Sequence, residues 1–199
     1  MRNSPRLPAR LTLAAIITAG SAVAGSPAVP PGALAALRAP APRACLPGGR
    51  GFLRAHIRGA VNLDVDLRGG ALACEGGPRG DGSGIRMSFV GRLPGGGGRL
   101  TLVFGIGGAR EGQPGRELPT NLTVIFGRTR QVFATQGERN CTVDRLGAAR
   151  IGSPKGLRAY RLTARGFCIA PANDLAGRRR ILVTRFDFAG EARFKESSP

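Results

Sequence analysis

The chain has 199 residues, which suits one domain with a short appendage. Its 32 glycines and 15 prolines are many, but a hydrophobic content of 42% still allows a packed core. The formal net charge is +18, and nearly all the cations are arginines, because Lys155 and Lys195 are the only lysines. The single histidine, His56, excludes a metal site built from several histidines.

The first 24 residues have the plan of a secretory signal peptide. Three arginines precede an uncharged apolar run over residues 11–24, which ends in the small-x-small site Ala22-Val23-Ala24. A membrane-spanning helix needs about 20 apolar residues, and the prolines from Pro27 onward end this run too early. We therefore expect a periplasmic or secreted protein with no transmembrane segment in its mature form. Cleavage would lower the formal net charge from +18 to +15, since residues 1–24 hold three arginines and no acid.

Residues 25–44 are rich in proline and alanine and predict an extended or disordered linker. A single domain is then expected over residues 45–195, stapled by disulfides. The four cysteines lack a C-x-x-C spacing, which argues against a zinc or redox site, and an even count in an exported chain favours two disulfides. Of the three possible connectivities we favour the one in which each bond closes a short loop between neighbouring segments. That connectivity joins Cys45 to Cys74 and Cys141 to Cys168.

Apolar and polar residues alternate with a period of two along the domain, which predicts strands. In chain order, a long first strand over residues 54–68 is followed by strands near 71–75, 85–90, 100–106, 122–126, 132–135, 141–146, 160–168 and 182–194. Loops or turns are expected at 95–98, 107–118, 127–130, 147–156 and 171–178, and bulges or bends at Gly59 and Gly190. Because no stretch carries a helical period, we expect an all-β fold, an antiparallel β-sandwich. The alternative is a bent or partly closed β-barrel.

Most catalytic chemistries have no matching motif. Neither lysine follows a glycine as in a phosphate-binding P-loop, and no serine lies in a nucleophile elbow. Four paired cysteines would leave no thiol nucleophile. We therefore expect no catalytic residue, no cofactor and no metal ligand.

The most suggestive acidic pair is Asp64 and Asp66, which would project from one face of a strand about 7 Å apart. With His56 they could serve a small hydrolase, which is the least favoured of three functional hypotheses. The favoured interpretation is a solvated strand face on which the carboxylates pair with Arg54, Arg58 or Arg68.

The arginine excess favours anionic partners by long-range attraction, although a GC-rich genome produces the same bias. Candidate anion contacts are Arg54, Arg58, Arg178, Arg179 and Arg180. The phenylalanines alternate with aliphatic residues as core positions do, so there is no specific signal for nucleic acid. Our main hypothesis is an exported, non-catalytic binding or structural module of the cell envelope. The alternative is a binder of polyanions or lipids such as lipopolysaccharide or phospholipid. Convergence on one face would favour this alternative; the arginines concerned are Arg54, Arg58, Arg86, Arg161, Arg165 and Arg178 to Arg180.

Overall fold

The computed structural model describes residues 44–195 except residue 138. Strands make up 67% of the structure, and no α-helix occurs in the described range. All eleven strands belong to one antiparallel sheet, which confirms the predicted all-β, antiparallel class. The strands are β1 (Phe52–Gly59), β2 (Leu63–Arg68), β3 (Leu72–Pro78), β4 (Gly84–Leu93), β5 (Gly98–Gly107), β6 (Gly115–Phe126), β7 (Gln131–Ala134), β8 (Cys141–Gly152), β9 (Leu157–Cys168), β10 (Ala172–Asp174) and β11 (Arg180–Lys195).

The long strands β6 and β11 organise the sheet, because each pairs with three neighbours. The main strand order is β2-β1-β11-β10-β7-β6-β5-β4-β3, and β8 and β9 form a second connection between β6 and β11. The first half of β6 pairs with β8 and its second half with β7. In the same way, β10 pairs with the start of β11 and β9 with its end.

The predicted first strand over residues 54–68 is in fact a hairpin, so this prediction is wrong. Gly59 ends β1 with φ +113°, and its amide donates to the side-chain oxygen of Asn62 at 3.2 Å. A Cβ at Gly59 would lie 2.7 Å from the carbonyl oxygen of Arg180, so this turn suits glycine. The alternating pattern continues past the turn, because the buried residues of both β1 and β2 are odd-numbered. A register shift falls at His56 and Ile57, whereas pairing is regular through Gly190.

The β8–β9 hairpin is longer than the sequence predicts. Strand β8 continues to Gly152, and the reversal is confined to a short turn with 3-10 geometry at Pro154–Gly156. Two register shifts on β8 absorb the extra residues and place Cys141 directly opposite Cys168. These two cysteines form a disulfide.

A second disulfide joins Cys45 to Cys74. Cys45 also accepts a hydrogen bond from the amide of Glu191 on β11 at 3.1 Å, and its own amide donates to Leu72. The start of the described chain is therefore fixed to both β3 and β11.

Phenylalanines fill the centre of the core. Phe186 and Phe188 on β11 pack against Phe89 and Phe104 on β4 and β5, with ring centroids 4.8–4.9 Å apart in the closest pairs. All four side chains are fully buried. The inward faces of β4, β5 and β11 thus meet, and the polar residues of these strands are left on the outward faces.

The predicted signal peptide (residues 1–24) and all of the predicted linker (25–44) except Ala44 lie outside the described residues. Within the described range, no helix is long and apolar enough to cross a membrane.

Candidate anion-binding surface

The charged residues of β1 and β2 form an ion-paired ladder. Arg58 donates to Asp64 at 2.7 Å, and His56 lies 3.0 Å from the same carboxylate oxygen. The Arg54 guanidinium lies 3.8 Å from the Asp66 carboxylate on one side and 3.6 Å from the Asp187 carboxylate on the other. Two of the candidate anion contacts, Arg54 and Arg58, therefore already have carboxylate partners.

The pKa values of the two β2 carboxyl groups follow from these contacts. The hydrogen bond from Arg58 lowers the pKa of Asp64, and the hydrogen bond from Arg68 lowers the pKa of Asp66. Both groups are therefore ionised near neutral pH and neutralise the arginines beside them.

The same ladder gives little support to a hydrolase. The side chains of His56 and Asp64 are 48% and 65% exposed, and neither residue lines the grooves beside Arg116 and Arg145 or beside Arg92 and Arg99. Among residues 44–195, residue 138 excepted, no three histidine, cysteine or acidic side chains are grouped to hold a metal ion. The geometry fits the solvated, charge-paired strand face better than an active site.

Four hairpin turns lie along one row of strand ends of the sheet. Because neighbouring strands alternate in direction along the order β2-β1-β11-β10-β7-β6-β5-β4, the turns of the β1–β2, β10–β11, β6–β7 and β4–β5 hairpins follow one another along this row. The row curves with the sheet, since Gly91 near the end of β4 lies against Leu67 near the far end of β2. We call this region the hairpin end. Its turns are residues 60–62, 175–179, 127–130 and 94–97.

The hairpin end carries an excess of cations. Two acids lie near it, Asp64 and Asp174, and the carboxylate of Asp174 is engaged by the amide of Arg178 at 2.8 Å. Of the exposed arginines at this end, Arg58 alone has a carboxylate within ion-pair distance among the described residues. These arginines are Arg58, Arg92, Arg99, Arg128, Arg130, Arg178, Arg179 and Arg180.

Hydrogen bonds hold neighbouring turns together. The amide of Ala60 donates to the carbonyl of Arg180 at 2.9 Å, and the Arg179 guanidinium donates back to the carbonyl of Ala60 at 3.3 Å. On the other side, the Arg128 guanidinium donates to the carbonyl of Gly96 at 3.1 Å. These hydrogen bonds join the turns in two pairs, β1–β2 with β10–β11 and β6–β7 with β4–β5.

Arg92 and Arg99 are directly opposite each other in the β4–β5 ladder. Both are exposed, and both border an open groove of 400 Å³ that is also lined by residues 70–73. Directly opposed like charges destabilise a strand pair. This pair is therefore unfavourable for folding in the absence of an anion.

An apolar side chain protrudes among these arginines. Leu175, in the β10–β11 turn, is 88% exposed. The turn that carries it is well ordered by hydrogen bonds, since the amides of Asp174 and Gly177 donate to Arg179 and Asp174 at 2.9 Å. Leu175 is thus presented outward by a fixed turn, next to Arg178, Arg179 and Arg180 in the sequence.

Convergence on one face was expected to favour an anion binder, and the remaining arginines named for it, Arg86, Arg161 and Arg165, meet this condition only in part. Arg165 is in register with Asp187, which in turn is in register with Arg54, so these residues share the outward face of β9, β11 and β1. Arg161 lies on the same face of β9, and its Nε is buried without a hydrogen-bond partner among the described residues. Arg86 lies apart, on β4 opposite Gly77 and Gly105.

Sequence reasoning missed four arginines of the hairpin end, namely Arg92, Arg99, Arg128 and Arg130. They are distant in sequence from Arg178 to Arg180, and each alone looks like an ordinary solvated residue. A usable signal was their position beside the predicted turns at 95–98 and 127–130. Turns of successive antiparallel hairpins tend to meet at one end of a sheet.

Comparison with known proteins gives no relative from which a role could be transferred. No protein-family model, no curated protein and no solved structure matches this chain.

Proposed function

We propose that this protein is an exported, non-catalytic β-domain that binds anionic phospholipid surfaces of the cell envelope through its hairpin end. The observation that carries the proposal is a set of eight exposed arginines at four turns that hydrogen bonds join in two pairs, with a carboxylate partner only for Arg58 within the described residues. A cation close to an anionic membrane surface contributes about 1 kcal/mol of binding free energy, and this attraction falls off within a Debye length.

Leu175 favours a lipid surface over a soluble polyanion. A side chain that is 88% exposed contributes nothing to the core, but it can bury its apolar area in the boundary between headgroups and acyl chains. The arginines around it would meet the phosphate groups at the same depth. A soluble anionic polymer offers charge to the arginines and no apolar phase to the leucine.

We propose that the domain carrying this surface is a two-layer antiparallel β-sandwich. Support comes from the phenylalanines of β11, which pack face to face against those of β4 and β5. Two disulfides are compatible with an oxidising compartment outside the cytoplasm. In this arrangement the turns stay free to contact a surface.

Vesicle sedimentation tests the proposal. The full chain is mixed with vesicles of phosphatidylglycerol and phosphatidylcholine or of phosphatidylcholine alone, at low and moderate salt. We expect weak binding to the anionic vesicles that falls as salt screens the charges. Replacing Arg178, Arg179 and Arg180 by glutamine should weaken that binding about 100-fold, from about 1 kcal/mol per arginine.

A matched control removes the same charge elsewhere. Arg86, Arg110 and Arg150 are exposed and lie away from the hairpin end, so their replacement by glutamine should reduce binding far less. Equal losses in the two triple variants would mean that net charge alone attracts the membrane, and the proposed surface would be wrong. Leu175→Ala should lower affinity several-fold without changing stability. Lipopolysaccharide or DNA binding that is tight at moderate salt, with no vesicle binding, would instead assign the surface to that polymer.

A further inference from the structure

A second basic site lies on the outward face of β6, β8 and β9, away from the hairpin end. Arg116 on β6 is directly opposite Arg145 on β8, and Arg145 is directly opposite Arg165 on β9. Neighbouring strands are about 4.8 Å apart, so the three Cα atoms form a row about 10 Å long. We call these residues the arginine row.

The arginine row has no internal partner. All three side chains are exposed, and none makes a hydrogen bond or ion pair with another described residue. Asp187 is in register with Arg165, but its carboxylate is 3.6 Å from Arg54. Glu117 and Asp144 adjoin the row in sequence, yet neither lies within ion-pair distance of it nor lines the groove described below.

Three like charges in direct cross-strand register destabilise a sheet. Next to the row, the outward face of β2, β1 and β11 avoids this cost by alternating signs, with Asp66, Arg54 and Asp187 in line. The row continues that cross-strand line through Arg165, Arg145 and Arg116, where the alternation stops. A bound anion would supply the missing negative charge.

An open groove of 660 Å³ runs along the arginine row. Beside the arginines, the next position of the ladder holds Gly147 on β8 opposite Thr163 on β9. A Cβ at Gly147 would lie 2.7 Å from the Thr163 hydroxyl oxygen. Because Gly147 has no side chain, the Thr163 hydroxyl group stays accessible from the groove. The groove therefore offers three guanidinium groups and one hydroxyl group to a ligand. Its lining also includes Leu146, Ala164 and the Asp187 carboxylate, which is 3.6 Å from Arg54.

We infer that this groove binds a phosphoryl group, as a phosphomonoester or a pyrophosphate. Guanidinium groups donate two parallel hydrogen bonds to phosphate oxygens, and a doubly charged phosphoryl group balances the row better than a carboxylate. The groove has room for more than the phosphoryl group itself, which suits an ester. The site does not depend on the proposed membrane surface, since it shares no residue with the hairpin end.

Thermal unfolding of the full chain against pyrophosphate tests the inference, with sodium chloride keeping the ionic strength constant. We expect a saturable rise of the melting temperature, because a ligand that binds only the folded state stabilises it. Arg145→Gln removes the middle of the row and should weaken apparent affinity about 10-fold to 100-fold. In the absence of pyrophosphate and at low salt, the same variant should melt at or above the wild-type temperature, because a like-charge repulsion is lost.

Arg86→Gln is the matched control, since it removes one exposed arginine from β4 and leaves the groove intact. Its affinity for pyrophosphate should equal that of the wild type. No saturable stabilisation of the wild type, or equal weakening by Arg86→Gln and Arg145→Gln, would overturn the inference.

Two further arms distinguish the source of the phosphoryl group. Glycerol phosphate offers it in solution, and vesicles of phosphatidylcholine with phosphatidic acid offer it as a lipid headgroup. Loss of either interaction in Arg145→Gln, with Arg86→Gln unaffected, supports the site and names its source. If neither compound binds in a way that depends on Arg145, the phosphomonoester form of the inference is wrong.

Discussion

At Gly166, the lack of a side chain allows three strands to pack closely. A Cβ there would collide with the carbonyl oxygen of Thr142 on β8 and would lie 2.6 Å from the ring of Phe186 on β11. Both neighbours are held in paired strands, and Phe186 is fully buried. Little room for adjustment remains on either side.

We expect Gly166→Ala to lower the free energy of unfolding by about 1–3 kcal/mol or more, because the extra methyl group overpacks the core. Urea unfolding measures the change. Gly80→Ala is the control, since Gly80 is exposed and nothing lies within 4 Å of its would-be Cβ. That variant should stay within about 1 kcal/mol of the wild type. Equal stability of Gly166→Ala and the wild type would show that β8 and β11 can yield at this point.

A second residue-scale feature is the ion pair between Glu111 and Arg158, which fixes the loop before β6 to β9. One guanidinium nitrogen donates to Glu111 at 2.9 Å, and the two side chains are only about a quarter exposed. The hydrogen bond from Arg158 lowers the pKa of Glu111 below its ordinary value of 4.5. The folded state therefore binds this proton less readily than the unfolded state does.

This difference makes stability depend on pH. The contribution of Glu111 is fully present above its unfolded pKa near 4.5 and is lost as the pH falls from there through the lower, folded pKa. Urea unfolding at several pH values between 7 and 3 should show a smaller acid loss in Glu111→Gln than in the wild type. Glu75→Gln is the matched control, since it removes an exposed carboxylate elsewhere on the sheet. Parallel curves for Glu111→Gln and wild type would contradict this assignment.

At the scale of the element, the β8–β9 hairpin depends on its disulfide. The bond between Cys141 and Cys168 closes a loop with a sequence separation of 27, which restricts the unfolded chain by about 3–4 kcal/mol. Replacing both cysteines by alanine should lower the free energy of unfolding by about that amount. Peptide mapping without reduction checks the connectivity at the same time. A bond between Cys74 and either Cys141 or Cys168 would contradict the structure.

The same hairpin shows what the sequence could and could not predict. Alternation placed β8 and β9 correctly, because burial on one face imposes it on any strand. The strand ends were less clear, since Ala148 to Gly152 carry no regular alternation of apolar and polar residues. The register shift near Asp144 was not predictable either, because it depends on how β8 fits β6 and β9 at once. The shift near Ile151 depends on the pairing with β9, which the local sequence does not determine.

The prediction of one long strand in place of the β1–β2 hairpin was wrong for another reason. Its turn has no run of glycines, and odd-numbered positions stay apolar on both sides of it, from Ala55 and Ile57 to Val65 and Leu67. A single long strand therefore fits the pattern as well as a hairpin does. The deciding contact is the approach of Gly59 to the backbone of β11, which is distant in sequence.

At the scale of the whole molecule, the first prediction concerns export. If residues 1–24 are a signal peptide, the exported protein begins at Gly25 and lacks the apolar run. Intact-mass measurement on periplasmic or secreted protein should give that mass, with four cysteines oxidised. A mass that retains residues 11–24, or an acyl group on Cys45, would contradict the prediction.

The candidate surface was only partly predictable at this scale. Composition indicated an anionic partner, and the Arg178 to Arg180 run is visible in the sequence. The pairing of Arg54 and Arg58 with carboxylates, and the register that aligns Arg116, Arg145 and Arg165, come from strands far apart in the chain. Only the order of strands in the sheet decides which charges become neighbours.

The position of β11 determines when the chain can fold. Phe52 on β1 pairs with Ala189, and β9, β10 and the Cys45 segment also bond to this last strand of the described range. A chain that emerges with its amino end first cannot assemble its central strand until residue 195 is free. Such distant pairings make folding slow. If the chain is exported in an extended form, this delay keeps it unfolded until nearly all of it has been made.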